Sequence, residues 1–172
     1  ELIARYKETN IPELKGLVDR GFDVVAPLPS CVLMFKQYLP LLFPDDPEVL
    51  AVSRRVFDPF EYLWWRHQAG MLRTDFAASL GRVGYHQPCH LRAQGLGHGA
   101  RDVLALVPGT QIELHEGCSG HGEVYGLRRR TREASESIAR PVVQHRARSG
   151  LMKSLVQTKQ RFEAAGGVPT SK

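Results

Sequence analysis

The chain alternates between short runs of apolar, partly β-branched residues and longer segments whose apolar residues recur every three or four positions. Residues 22–28 belong to the first kind, which is typical of β-strands. Residues 82–86 are also predicted to form a strand, as are residues 111–115, in which polar and apolar side chains alternate. The second kind is typical of amphipathic helices and is found at residues 30–42, 48–56, 100–107 and 128–148. Two further helices are predicted to begin near Asn10 and Asp58, which are favourable capping residues.

Strands that alternate with helices predict a small α/β domain, because parallel strands need a helical crossover between them. We therefore expect a mainly parallel sheet with flanking helices. Residues 1–143 are predicted to form this domain. Residues 144–172 are predicted to form a basic C-terminal tail, partly helical or frayed.

Charge is distributed unevenly along the 172 residues, whose formal net charge is +5. Residues 127–172 carry 11 Lys/Arg and 3 Asp/Glu, a net charge of +8, whereas residues 1–126 have a net charge of −3. A basic segment of this kind can bind nucleic acid, an acidic membrane surface or an acidic protein. A solvated helix face is the simpler explanation, so a nucleic-acid partner is not expected.

Three cysteines are present, and each follows a predicted strand by a short turn. Cys31 comes after residues 22–28, Cys89 after residues 82–86 and Cys118 after residues 111–115. Since the carboxyl ends of parallel strands lie at one edge of a sheet, we expect the three sulfurs to converge in space. Thiolates at such positions, beside glycine-rich loops that offer backbone amides, indicate a metal or iron–sulfur site.

Histidines near the last two cysteines allow an alternative interpretation, in which the metal is zinc. Cys89, His90, Cys118 and His121 would give zinc two thiolates and two imidazoles, a common structural set. A third interpretation is an α/β binding domain without a metal, in which the cysteines are simply packed and the basic tail binds an acidic partner. No serine, histidine and acid arrangement suggests a catalytic residue.

Three segments resemble the cysteine-rich (Cys-Cys-Gly) domains of iron–sulfur oxidoreductase subunits. They are Pro29-Ser30-Cys31-Val32-Leu33-Met34-Phe35-Lys36-Gln37, Tyr85-His86-Gln87-Pro88-Cys89-His90-Leu91 and Glu116-Gly117-Cys118-Ser119-Gly120-His121-Gly122. That family includes the B subunit of heterodisulfide reductase and the C subunit of anaerobic glycerol-3-phosphate dehydrogenase, and the latter group is the more similar. The resemblance covers about residues 10–143.

The resemblance implies that Cys31, Cys89 and Cys118 bind a 4Fe–4S-type cluster in an electron-transfer module. Ser119 stands where the family has the second cysteine of a pair, and no cysteine follows Cys118. Three thiolates leave one iron for another ligand, such as His90, His121 or Ser119. We therefore expect a fragment with an incomplete ligand set, a subunit or domain of an oxidoreductase rather than a self-sufficient enzyme.

The same resemblance implies particular partners and a location. The partners would be a flavoprotein dehydrogenase subunit and other iron–sulfur modules, with a quinone-linked or membrane-surface partner as a further implication. The location would be cytoplasmic, or peripheral on the inner face of the cell membrane.

Overall fold

The computed structural model describes residues 1–96, 99–120 and 125–148, with side chains described as far as residue 144. Its architecture is α/β, so the predicted fold class is confirmed. The strands within this described part form two separate parallel pairs rather than one continuous sheet. The domain boundary predicted at residue 143 stays a prediction.

The first pair joins β1 (Val24–Val25) to β2 (Val56–Phe57), and the second joins β3 (Arg82–Gln87) to β4 (Gln111–Glu116). In the second pair, Arg82 lies opposite Gln111 and Gln87 lies opposite Glu116, so both strands end at the same level. The helix predicted over residues 48–56 ends at Ser53, because the chain turns there and enters β2.

Helices and helical turns surround the strands. In chain order they are α1 (Leu2–Asp19), α2 (Pro29–Leu33), a π-helix (Met34–Tyr38), α3 (Leu39–Leu42), α4 (Pro47–Ser53), α5 (Pro59–Gln68), α6 (Cys89–Ala93), α7 (Gly99–Ala105), two 3₁₀ turns (Tyr125–Leu127 and Arg129–Thr131) and α8 (Arg132–Arg148).

The first helix starts earlier than its capping residue predicts. Asn10 and Pro12 lie inside α1 rather than at its beginning. Pro12 lacks an N–H and so removes one helical hydrogen bond. One turn earlier, the Asn10 Nδ2 group donates to the Tyr6 carbonyl over 2.7 Å, and the Thr9 hydroxyl donates to the Arg5 carbonyl over 3.1 Å. Gly21 ends the helix with a φ of +88°, as its position predicts.

A continuous helical segment runs from Pro29 to Leu42 and carries Cys31 in its first turn. Its middle is a π-helix, in which the Leu39 N–H donates to the Met34 carbonyl five residues earlier. Pro40 follows directly and has no N–H that could donate to a carbonyl of the preceding turn. The wider π-helical turn therefore lies at a point where the regular α-helical hydrogen-bond pattern is already interrupted. Leu28 occupies the N-cap position, and Pro29 is the first helical residue.

The hydrophobic core lies around β1 and β2. Val49, Val52 and Val56 are completely buried, and Ile11 and Leu39 are nearly so. Val49 and Val52 are three residues apart on α4 and therefore share one face of that helix. Burying each of these side chains stabilises the fold by about 1.5–3 kcal/mol.

Helix α5, which follows β2, connects the first strand pair to the second. Phe60 of α5 packs edge-on against Tyr85 of β3, with ring centroids 6.1 Å apart. Asp58 caps α5 by accepting hydrogen bonds from the Phe60 and Glu61 backbone. Burial raises the pKa of Asp58 above its usual range, although those two hydrogen bonds oppose the shift. Burial likewise raises the pKa of Tyr85.

Gln94 makes a second connection, close to the cysteines. It follows α6, and its Nε2 group donates to the Pro29 carbonyl over 3.3 Å and to the His90 carbonyl over 2.9 Å. One side chain thus holds the start of the Cys31 helix against the helix that begins at Cys89.

Candidate metal centre

The strands bring the three cysteines to one place in the fold. Cys31 lies in α2, which follows β1. Cys89 begins α6, which follows β3, and Cys118 lies in the loop that follows β4. All three cysteines are free, with Cys31 half-buried and the other two exposed.

A single cavity of about 580 Å³ contains all three cysteines in its wall. This volume falls within the range of about 300–1,000 Å³ that is typical of ligand and cofactor sites. The remaining wall residues are Leu28, Pro29, Ser30, His86, Pro88, His90 and Ser119. The predicted convergence of the cysteines is therefore present in the structure, whereas their role as ligands stays a prediction.

Close packing against α8 fixes the loop that carries Cys118. Gly120 has a φ of +69°, and a Cβ atom there would lie 2.2 Å from the Ser135 carbonyl oxygen. The buried Ser135 hydroxyl donates to the Gly120 carbonyl over 2.7 Å. The loop can lie this close to α8 only because residue 120 has no side chain.

The Gly120 backbone also contacts the cysteine directly. Its N–H donates to Cys118 Sγ over 3.4 Å. Backbone amides aimed at sulfur are a recurring feature of iron–sulfur sites, where they hydrogen-bond the sulfur ligands. Sequence reasoning noted the glycines of this loop but not their contact with Ser135, since that residue pair is distant in sequence.

Two histidines in the cavity wall make different contacts. His90 lies beside Cys89, with 3.8 Å between His90 Nδ1 and Cys89 Sγ. His86, near the end of β3, places its Nε2 atom 3.0 Å from the Gly117 carbonyl oxygen. His86 therefore links the end of β3 to the residue just before Cys118.

Ser119 and His90, both considered as further ligands, line the cavity with the cysteines. His121 lies outside the described residues, so the predicted zinc set of Cys89, His90, Cys118 and His121 stays untested. Within the described residues, no three histidine, cysteine or acidic side chains are grouped closely enough to hold a metal ion.

The donor set still fits an iron–sulfur cluster. A single zinc ion needs its sulfur ligands at about 2.3 Å and therefore close to one another. In a cluster each cysteine binds a different iron, so the sulfurs stand further apart around a larger body. Three cysteines spread around one cavity of about 580 Å³ match that requirement better than the requirement of one ion.

A smaller cavity lies away from the cysteines. It has a volume of about 130 Å³ and lies between α1 and the Pro29–Leu42 helical segment, where Ile3, Tyr6, Phe35 and Leu39 contribute to its wall. Its wall contains no cysteine, histidine or carboxylate, which are the usual zinc ligands.

Comparison with known proteins identifies two distant relatives. The C subunit of anaerobic glycerol-3-phosphate dehydrogenase from Escherichia coli (strain K12) is 26% identical over 149 residues, which cover 83% of this chain and 36% of that protein. Lactate utilization protein A of Lysinibacillus sphaericus (strain C3-41) is 31% identical over 115 residues, covering 61% of this chain and 48% of that protein. The chain is distantly similar to both.

These comparisons confirm the predicted resemblance in part. The likeness to the glycerol-3-phosphate dehydrogenase protein is found, whereas the likeness to heterodisulfide reductase stays a prediction. The chain spans between about a third and a half of the length of these relatives. No family model matches the chain. No solved structure matches it significantly.

The helices were also tested for membrane-spanning character. Among those in the described part of the chain, none combines the length and the apolar character that crossing a bilayer requires.

Proposed function

We propose that this chain is an iron–sulfur electron-transfer module in which Cys31, Cys89 and Cys118 bind one cluster of the 4Fe–4S type. The observation that carries the proposal is the shared cavity, which collects cysteines from three distant segments. Packing alone does not explain two exposed cysteines at strand ends, because unligated cysteine is usually buried.

The distant relatives support the same assignment. One is named as a subunit of an anaerobic glycerol-3-phosphate dehydrogenase and the other as a lactate utilization protein. Both names refer to the metabolism of a small hydroxylated carbon compound. The motif resemblance, which was noted from the sequence, adds the iron–sulfur chemistry to this picture.

Each part of the chain has a defined task in this proposal. The cluster, when bound, accepts and releases single electrons. The cysteines hold it, the Gly120 amide hydrogen-bonds the Cys118 sulfur, and Gln94 keeps the Cys31 and Cys89 helices together. The two exposed cysteines place the cluster near the surface, where a partner can exchange electrons with it.

The partners follow from this role. A flavoprotein dehydrogenase subunit would supply electrons, and further iron–sulfur modules or a quinone-linked carrier would accept them. A location in the cytoplasm or on the inner face of the membrane would suit such an assembly. The module transfers electrons within the assembly and needs no catalytic side chain of its own.

Anaerobic reconstitution tests the proposal. The chain is incubated with ferrous iron, sulfide and a thiol reductant, and a parallel sample is incubated with zinc alone. Both samples are desalted and analysed for iron, zinc and sulfide, and the EPR spectrum is recorded after reduction. We expect iron and sulfide in similar amounts in the wild type and neither in the Cys31→Ser/Cys89→Ser/Cys118→Ser variant. Binding of zinc without sulfide would favour the zinc site instead. Absence of both metals would contradict a metal centre altogether.

A further inference from the structure

Three thiolates leave one position of a four-ligand cluster open. The cavity wall offers two histidines and two serines that could fill it, namely His86, His90, Ser30 and Ser119. A serine hydroxyl must lose a proton before it binds iron well, whereas a neutral imidazole already presents a lone pair. Among the described residues the choice therefore lies between the two histidines, and their hydrogen bonds distinguish them.

His86 has a fixed tautomer. Its Nε2 atom lies 3.0 Å from the Gly117 carbonyl oxygen. A carbonyl oxygen can only accept a hydrogen bond, so Nε2 must carry the proton and donate it. In the neutral ring the lone pair then belongs to Nδ1.

This is the arrangement that metal-binding histidines usually have. Such a histidine donates one ring N–H to a carboxylate or a backbone carbonyl, and this bond sets the orientation of the ring and the nitrogen that binds the metal. The acceptor here is Gly117, the residue before Cys118, and the ring itself lines the cavity. His86 is also held in a six-residue strand whose partner leads to the Cys118 loop.

His90 has a different contact. Its Nδ1 atom lies 3.8 Å from Cys89 Sγ, within hydrogen-bonding distance of a sulfur atom. This contact joins adjacent residues and does not hold the ring against a second segment, as the Gly117 carbonyl holds that of His86. Hydrogen bonds to ligand sulfurs tune the reduction potential of a cluster without contributing a ligand.

We infer that His86 supplies the fourth protein ligand of the cluster, through Nδ1, and that His90 acts as a hydrogen-bonding neighbour of Cys89. This inference rests on the proposed iron–sulfur function. A histidine ligand is neutral where a fourth cysteine would be anionic, and histidine ligation raises the potential of iron–sulfur centres. The chain would thus hold a more easily reduced cluster than one with four cysteines.

The test uses the full chain, reconstituted anaerobically with ferrous iron and sulfide after growth with ¹⁵N-labelled histidine. Pulsed EPR of the reduced cluster detects labelled nitrogen bound to iron. We expect this coupling in the wild type and in His90→Ala, and its loss in His86→Gln. The side-chain amide of the introduced glutamine can still donate to the Gly117 carbonyl, so a purely structural role of His86 would leave the spectrum unchanged.

A second measurement uses His86→Cys, which restores an anionic ligand. We expect this variant to retain iron and sulfide and to have a lower reduction potential than the wild type. A wild-type cluster without histidine coupling, or coupling that persists in His86→Gln, would overturn the inference and leave the proposed function standing. Failure of the wild type to bind iron and sulfide would overturn both.

Discussion

The two strand pairs use their residues in opposite ways. Around β1 and β2, completely buried valines such as Val52 and Val56 form the core. At the ends of β3 and β4, the most buried side chains are polar, namely Gln87 and His115, each about 3% exposed, and each has an interaction partner. Burying polar groups is costly unless they are bonded. The first region therefore serves as the scaffold, whereas the second buries partnered polar side chains close to the site.

The cysteines lie across this division. Cys31 comes from the scaffold region, whereas Cys89 and Cys118 come from the β3–β4 region. A cluster bound by all three would hold the two regions together. The comparison can therefore be tested by damaging each region and the connection between them separately.

Gly120→Ala should have the largest effect on stability. The new Cβ would lie 2.2 Å from the Ser135 carbonyl oxygen at a residue with positive φ, so the loop or α8 must move. We expect a loss of about 3 kcal/mol or more in unfolding free energy, because overpacking and left-handed strain add together. Urea denaturation measures the loss of unfolding free energy, and the iron content after reconstitution measures the effect on the site.

Gly95→Ala is the matched control for that change. Gly95 has a similar φ of +66°, but no atom of the described residues lies within 4 Å of a Cβ atom there. We expect a cost of about 1 kcal/mol from backbone strain alone. Equal destabilisation by the two substitutions would show that the contact with Ser135 does not fix the Cys118 loop.

Val52→Ala should cause the next largest loss of stability, and this loss should be confined to the scaffold region. The side chain is completely buried in the core, so its truncation leaves a cavity and costs about 2 kcal/mol. Iron bound per folded chain should stay at the wild-type level. Thermal unfolding and iron analysis measure the two quantities, and Val25→Ala, at a 41% exposed position of β1, should have little effect on either.

Gln94→Ala should weaken the connection between the regions. It removes the hydrogen bonds to the Pro29 and His90 carbonyls, which together contribute about 1–2 kcal/mol. We expect faster loss of the cluster to an iron chelator than in the wild type, because Cys31 and Cys89 are held together less firmly. Gln68→Ala, at the end of α5, is the control, and equal rates of loss in both variants would contradict the connection.

Asp46→Asn should have the smallest effect, confined to the scaffold. Asp46 accepts a 2.6 Å hydrogen bond from Lys7, and this bond lowers the pKa of the carboxyl below its usual value. A carboxyl with a lowered folded-state pKa stabilises the fold above the unfolded pKa, and that contribution disappears as the pH falls through the folded value. The wild type should therefore be more stable than Asp46→Asn at neutral pH.

The stability difference should vanish in acid. Denaturation experiments between pH 7 and pH 2 measure this difference in unfolding free energy. Asp45→Asn, a substitution at the exposed neighbouring residue, is the control. Because the introduced asparagine can still cap α4 as Asp46 does, the comparison isolates the charge. A difference that does not change with pH would show that the ion pair with Lys7 contributes nothing.

Much of this architecture could be predicted from local sequence pattern. The strands at β3 and β4 and the positions of the cysteines after them depend on nearby residues, and the structure has them as expected. The helix start near Asp58 was also predictable, because Asp58 and Glu61 form a capping box.

Other features depend on contacts between distant residues and left no local signal. The two-residue strand β2 is too short to show a period. The approach of Gly120 to Ser135 and the hydrogen bond from His86 to Gly117 join segments that meet only in the folded chain. The sequence places His86 three residues before Cys89, but its tautomer can be assigned only from its contact with the Gly117 carbonyl.

The most direct test of the central claim is the iron and sulfide content of Cys31→Ser after anaerobic reconstitution. Cys31 is the one cysteine that the scaffold region contributes, and a zinc site built from the β3–β4 region would not need it. We predict that Cys31→Ser folds like the wild type but loses most of its bound iron and sulfide, as Cys89→Ser and Cys118→Ser also should. Metal binding that is unchanged in Cys31→Ser would contradict a cluster held by three cysteines.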